Sequence, residues 1–333
     1  MRLALPLAVL ASAVAASAAF AQTPASPGRV ERLDPRIDAL IPKDAKVELL
    51  ADGIKWAEGP VWDKANGRLI FSDVPNNVAY QWSEKGGKTV FLKPSGYTGP
   101  EGGGGREPGS NGLAFDAKGR LTLTQCGDRR ISRLVDGRFV PVVERFEGKR
   151  FNSPNDLVWA KDGSLYFTDP PYGLTKMFDD PGREIPWCGV YRVSPDGKVT
   201  VLVKDLRAPN GIGLSPDEKT LYVSQSDPDR PVVMAYELKA DGTLGAGRVF
   251  FDAKPLMKNG PGLPDGLKVD AAGNVWTSGP GGILILSPKG EHLGSILTGV
   301  PTANLNFAPD GTVYMTANDT IRRIRTNAKG LAY

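Results

Sequence analysis

From Lys46 to Arg325 the chain repeats one cycle of hydrophobic and polar positions. A polar residue, usually followed by glycine, opens an apolar alternation; a Gly or Asp turn follows, and then a second alternating run. The copies read EGPVWDKANGRLIFSD from Glu58, NGLAFDAKGRLTLTQ from Asn111, NDLVWAKDGSLYFTD from Asn155, NGIGLSPDEKTLYVSQ from Asn210, DGLKVDAAGNVWTSG from Asp265 and ANLNFAPDGTVYMTA from Ala303. They start 53, 44, 55, 55 and 38 residues apart. Each copy is followed by a third and a fourth strand pattern, as in GVYRVSPDGK and VTVLVKD, which makes four antiparallel strands per unit. Six such units arranged radially define an all-β, six-bladed β-propeller. After Ala303 only three strands remain, LNFA, TVYMTA and TIRRIR. The segment KVELLADG, Lys46–Gly53, is therefore expected to supply the missing strand of the last blade and remove two open sheet edges.

The chain begins with one basic residue, Arg2, an alanine-rich apolar stretch too short to span a bilayer comfortably, and small residues at Ala19 and Ala21. That pattern predicts a signal peptide over residues 1–21, a linker over 22–45 and a propeller domain over 46–333, in an exported, periplasmic or secreted protein. Forty glycines and 28 prolines fit many tight turns. The net charge of +4 is spread along the chain without a basic block, so neither nucleic acid nor membrane is an expected partner. A monomer or weak dimer is expected. Cys126 and Cys188 lie in separate segments. Two packed free thiols are the leading reading and a disulfide the alternative.

The first residue of each innermost strand should face the shared channel. That column reads Glu58, Asn111, Asn155, Asn210, Asp265 and Ala303, five of them with side-chain oxygens. Asn or Asp before Gly is also ordinary turn chemistry, which accounts for any one copy. It explains the column less well, because Asn155 precedes Asp156, Glu58 is a poor turn former, and the hairpin turns come eight residues later. The alternative is a hard-oxygen cation site, suited to Ca²⁺, Mg²⁺ or Mn²⁺ rather than zinc or copper. With a single histidine, His292, placed toward the rim of its blade, neither a Ser-His-Asp triad nor a histidine-rich zinc site is indicated. The glycine run EGGGGREPGS, Glu101–Ser110, lacks a phosphate-loop context and is expected to form a mobile loop on the face of the column.

WAEGPVW, GKRFNSPNDLVW with YFTDPPYGL, APNGIGLSPDEKTLYVS, and LPDGLKVDAAGNVW with GPGGILILSP carry a resemblance over nearly the whole mature chain. The chain resembles the senescence marker protein, gluconolactonase and luciferin-regenerating enzyme family, and is most similar to its secreted bacterial gluconolactonases. The resemblance implies a divalent cation held by Glu58, Asn155, Asn210 and Asp265. Ca²⁺ is foremost, with Mg²⁺, Mn²⁺ or Zn²⁺ as alternatives. It implies hydrolysis of a small-molecule sugar lactone, glucono-1,5-lactone or a similar aldonolactone, with Asp265 as the catalytic base. Asn111, Asn155 and Tyr172 are the expected substrate contacts, Arg150 and Trp187 lesser candidates, and Asp156 a brace behind the metal ligands. Cys126 stands where that subgroup often has histidine. Another lactone, an aryl ester or an organophosphate on the same site, or a non-catalytic calcium-stabilised binding propeller, are the alternatives.

Overall fold

The computed structural model describes residues 27–331; the expected signal peptide lies outside the described residues. Six four-stranded antiparallel sheets follow one another around a central axis. Their innermost strands are Ala57–Asp63, Ser110–Phe115, Leu157–Trp159, Pro209–Leu214, Leu267–Val269 and Thr302–Phe307, heading blades one to six. Every blade packs against two neighbours, so its inner strands are buried on both faces. Leu121–Gln125 and Gly282–Leu286 are buried at every position, whereas the outer strand Gly87–Leu92 is not. The core is consequently divided into six apolar walls, one per blade interface. The largest aromatic wall joins blades two and three, where Phe151, Phe167 and Tyr191 pack with ring centroids 5.1–5.2 Å apart.

Closure follows the expectation from the sequence. Val47–Ala51 pairs antiparallel with Thr320–Arg325, in register Val47 to Ile324, and becomes the outermost strand of blade six. The linker expected over residues 22–45 is corrected from residue 29 onward. Arg29–Arg32 adds a fifth strand to blade five, pairing with His292–Leu297, and a helical turn follows at Ile37–Leu40. Ile37 and Ile41 are fully buried in the wall between blades five and six. The Arg32 guanidinium donates to the Ile41 and Pro42 carbonyls at 2.9 and 2.8 Å, which satisfies backbone groups that this irregular segment leaves unpaired. The two ends of one short segment thus lace adjacent blades together. Cys126 and Cys188 are buried free thiols. Among the described residues no helix is long and apolar enough to cross a membrane.

Ile37→Ala tests this lacing. Its side chain is buried between blades far from the channel, so the variant should lose about 2–5 kcal/mol in urea unfolding. A true linker position would lose almost nothing.

Candidate functional site at one mouth of the channel

The two ends of the channel are built differently. At one end the hairpins within blades are short: none of the connections between strands one and two or three and four exceeds five residues. At the other end, where the innermost strands begin, the long connections 93–109, 144–156, 170–188 and 253–266 converge. They wall a cavity of about 650 Å³ whose lining includes Glu58, Asn111, Asn155, Asn210 and Asp265 together with Tyr172. The five polar members of the column therefore share one space. Ala303 is buried and does not line it; Thr302 does. The glycine run lies on the same face, and its last part, Arg106 and Glu107, reaches the cavity. Arg150 and Trp187 do not reach it. Arg150 pairs with Glu184 on the outside, and the Trp187 indole donates to the Tyr191 hydroxyl at 3.1 Å.

A second column fixes the first. Each blade carries Ser or Thr at the penultimate position of its second strand, and five of these hydroxyls donate to the carbonyl of the next blade's column residue. Ser72 reaches Asn111 at 2.9 Å, Thr124 reaches Asn155 at 2.7 Å, Thr168 reaches Asn210 at 2.6 Å and Ser278 reaches Ala303 at 2.9 Å. Ser224 does the same to Asp265. One residue further on, Asp169 accepts the Asn152 and Ser153 amides at 2.7 Å and Asp73 accepts those of Lys55 and Trp56, which holds the approaches to Asn155 and Glu58.

Beneath the mouth lies a plug that the column reading missed. Asn304, one residue after Ala303, donates from Nδ2 to Glu58 Oε2 and to Asp156 Oδ2, both at 3.3 Å. Lys268 Nζ sits 3.5 Å from the same Asp156 oxygen. Asp156 is thus tied through one amide to Glu58, while a lysine from blade five neutralises it. The signal was present in the second position of the repeat, which reads Gly59, Gly112, Asp156, Gly211, Gly266 and Asn304. Its two non-glycines are the two that meet across the channel. The glycines give them room: a Cβ on Gly266 would fall 2.0 Å from Asn304 Cγ.

Two carboxylates and several amides now face one another. The Oδ1 atoms of Asn111, Asn155 and Asp265 are buried and have no hydrogen-bond donor within the protein. Asn210 Nδ2 is held by Ser226 Oγ at 3.0 Å. Burial, followed by the charge of Asp156, pushes Glu58 up to about 8, although the Gly59 amide donates to it at 2.8 Å. Asp265 is raised well above the aspartate range by burial first and then by Glu58, Asp156 and Glu107; its residue is part-exposed, but its Oδ1 is not. Orphaned acceptor oxygens beside two strained carboxylates fit a hard divalent cation, which would satisfy the acceptors and relieve the repulsion together. Among the described residues no cluster of three or more His, Cys, Asp and Glu forms, so the donor set is carboxylate plus amide.

Fold and site together define a six-bladed propeller with an oxygen-lined cup at one mouth of its channel. Residues 56–319 match the family described as the SMP-30/gluconolactonase/LRE-like region, and the chain belongs to that family. It is 41% identical over 312 residues to a gluconolactonase of Zymomonas mobilis, covering 91% of this chain and 87% of that one. A solved structure described as a gluconolactonase from Xanthomonas campestris superposes with a TM-score of 0.78 at 32% identity, over 91% of this chain and 98% of that one. The calcium-binding protein regucalcin from Agrobacterium tumefaciens shares the fold, with a TM-score of 0.64 at 22% identity over 85% and 94% of the two chains.

The strained carboxylates give a pH signature. Folded Glu58 keeps its proton to about pH 8, while the unfolded chain releases it near 4.5. The folded state therefore binds more protons between those values, and stability falls as pH rises through that window. In chelator, the melting temperature should decline from pH 5 to about pH 8. Glu58→Gln should flatten the decline, and added Ca²⁺ should reverse it.

Proposed function

We propose that the protein is an exported, cation-dependent lactonase that opens an aldono-1,5-lactone such as glucono-1,5-lactone to the aldonic acid. Lactone hydrolysis follows from the family and from its gluconolactonase relatives. The observation that carries the metal-dependent reading is the set of three orphaned buried oxygens, on Asn111, Asn155 and Asp265, beside Glu58 at the cavity mouth.

Glu58, Asn155, Asn210 and Asp265 would hold the cation, Ca²⁺ by the hardness of the donors. Bound there, it would supply a Lewis acid for the lactone carbonyl. Two ionised carboxylates balance a divalent charge, and the amides add oxygens without adding charge. Asn111 and Asn155 present further amide groups to the substrate's hydroxyls, and the half-buried Tyr172 closes one wall of the cavity. Asp265 receives the proton of the attacking water. Asp156, held by Lys268 and Asn304, keeps Glu58 in place without reaching the cavity. A lactone is an activated ester, so the rate enhancement required is modest beside that of a peptidase.

A pH-indicator assay with a panel of lactones, before and after chelation, tests the proposal. Glucono-1,5-lactone should be hydrolysed, and chelation or Asp265→Ala should each lower kcat/KM by on the order of 10²-fold. Full activity after chelation would refute the metal dependence, and inertness toward every lactone would favour a binding propeller. For export, mass spectrometry of the protein recovered from outside the cytoplasm should show a mature chain beginning at Gln22.

A further inference from the structure

Opening a sugar lactone has a second half that the cation site does not serve. The leaving group is the ring oxygen, an alkoxide of a weakly acidic alcohol, and it departs readily only when it is given a proton. The amides of Asn111, Asn155 and Asn210 have no proton to give at neutral pH. Glu58 is committed to the cation, and Asp265 to the attacking water. Burial lifts the phenol of Tyr172 far above neutrality, and the buried Cys126 thiol likewise. His292 lies in the fourth strand of blade five, bonded to Ser295, and does not line the cavity. Lys55 lies exposed at the rim.

One acid remains. Glu107 lines the cavity together with Glu58, Asn155 and Asp265, and its side chain is only 16% exposed. Its single partner among the described residues is Arg106, whose Nη1 is 3.2 Å away. The groups whose charges act on it or feel it are Arg106, Asp265, Tyr172 and Cys126. Its backbone is clamped on both sides: the Arg106 amide donates to Gly173 at 2.9 Å and the Pro108 carbonyl accepts from Tyr97 at 2.6 Å. The glycine run makes that clamp possible. Gly105 adopts a φ of +80° and lies so close to the Gly173 carbonyl that a Cβ would stand 2.1 Å from its oxygen. A loop built this way holds one carboxyl group over the site.

We propose that Glu107 is the acid that protonates the ring oxygen as the lactone's acyl–oxygen bond breaks. This rests on the lactonase reading of the cavity. Water adds to the carbonyl carbon, and its proton passes to Asp265. When the tetrahedral adduct collapses, the electron pair of the acyl–oxygen bond goes to the ring oxygen, which takes the Glu107 proton and becomes a hydroxyl. Solvent at the open mouth then reprotonates Glu107 and removes the proton from Asp265, so that lactone and water give the hydroxy acid with nothing left over. Burial, partly offset by Arg106, pushes Glu107 up to about 7, which matches an acid working near neutral pH.

The test is the pH–rate profile of glucono-1,5-lactone hydrolysis for the cation-loaded wild type, Glu107→Gln and Glu107→Asp, with melting temperatures confirming that each is folded. In the wild type, kcat should fall as pH rises through about 7, because the ionised carboxylate has no proton to give. Glu107→Gln should lower kcat by on the order of 10²-fold and abolish that limb. Glu107→Asp should keep the limb at reduced kcat, and it carries the test should the glutamine variant not fold. A merely structural Glu107 would change the rate and leave the limb in place, and that result overturns the assignment alone. A wild type inert toward every lactone overturns the reading of the cavity and this assignment with it.

Discussion

The site depends on a hydroxyl that five of the six blades lend to the next. Ser72, Thr124, Thr168, Ser224 and Ser278 all donate to the backbone of a column residue one blade further round. A propeller has no rigid axle: its blades touch mainly through apolar side chains, which resist separation but fix angles poorly. A directional bond from blade to blade at the channel rim supplies what packing does not. It occupies the carbonyl of every column residue but Glu58 and so leaves the side chain aimed at the channel. Because the bond joins neighbouring blades, Asn111, Asn155, Asn210 and Asp265 are each positioned by two units of the fold rather than one.

The electrostatics beneath the mouth obey the same economy. A third carboxylate, Asp156, lies directly below Glu58 and would make ionisation of the pair prohibitive in a dry channel. Lys268 offsets it from the far side, and Asn304 spans the gap with one amide that serves both acids. The lower layer is therefore near neutral, and the upper layer, Glu58 with Asp265, holds the two buried carboxyl groups whose ionisation a bound cation would favour. That separation favours the cavity, and not the channel below it, as the place where a cation would be held.

Most of the ring was legible because repetition exposes what a single copy hides. An asparagine before glycine says nothing by itself; five oxygen-bearing residues at the same point of six repeats do. What escaped was displaced from that point by one residue or by a blade. Asn304 stands one place after the column, and Lys268 three places after Asp265, on strands whose alternation gave no reason to turn a polar group inward. The Ser and Thr near the ends of the second strands read as ordinary strand residues, although they too form a column. Residues 29–45 read as linker because a strand that pairs only at a blade's outer edge, and a single helical turn, have no periodicity long enough to register. Glu107 follows a glycine run that sequence alone could only describe as a loop, since its placement depends on Gly173, 66 residues away.

The asymmetry of the connections explains why chemistry sits at only one end. At the far mouth the tight hairpins bring Trp62, Phe115, Trp159 and Phe307 around a cavity of about 340 Å³, and turns of five residues or fewer have little chain to spare for polar groups reaching inward. At the near mouth the long connections approach the starts of the inner strands, where Asp73 and Asp169 seize their backbones two and three residues before the column. Length there gives variety of side chain, and the anchoring carboxylates remove the freedom that length would otherwise bring. The repeated blade thus supplies a fixed ring of oxygens, and the unequal loops supply the acid, the aromatic wall and the shape of the cavity.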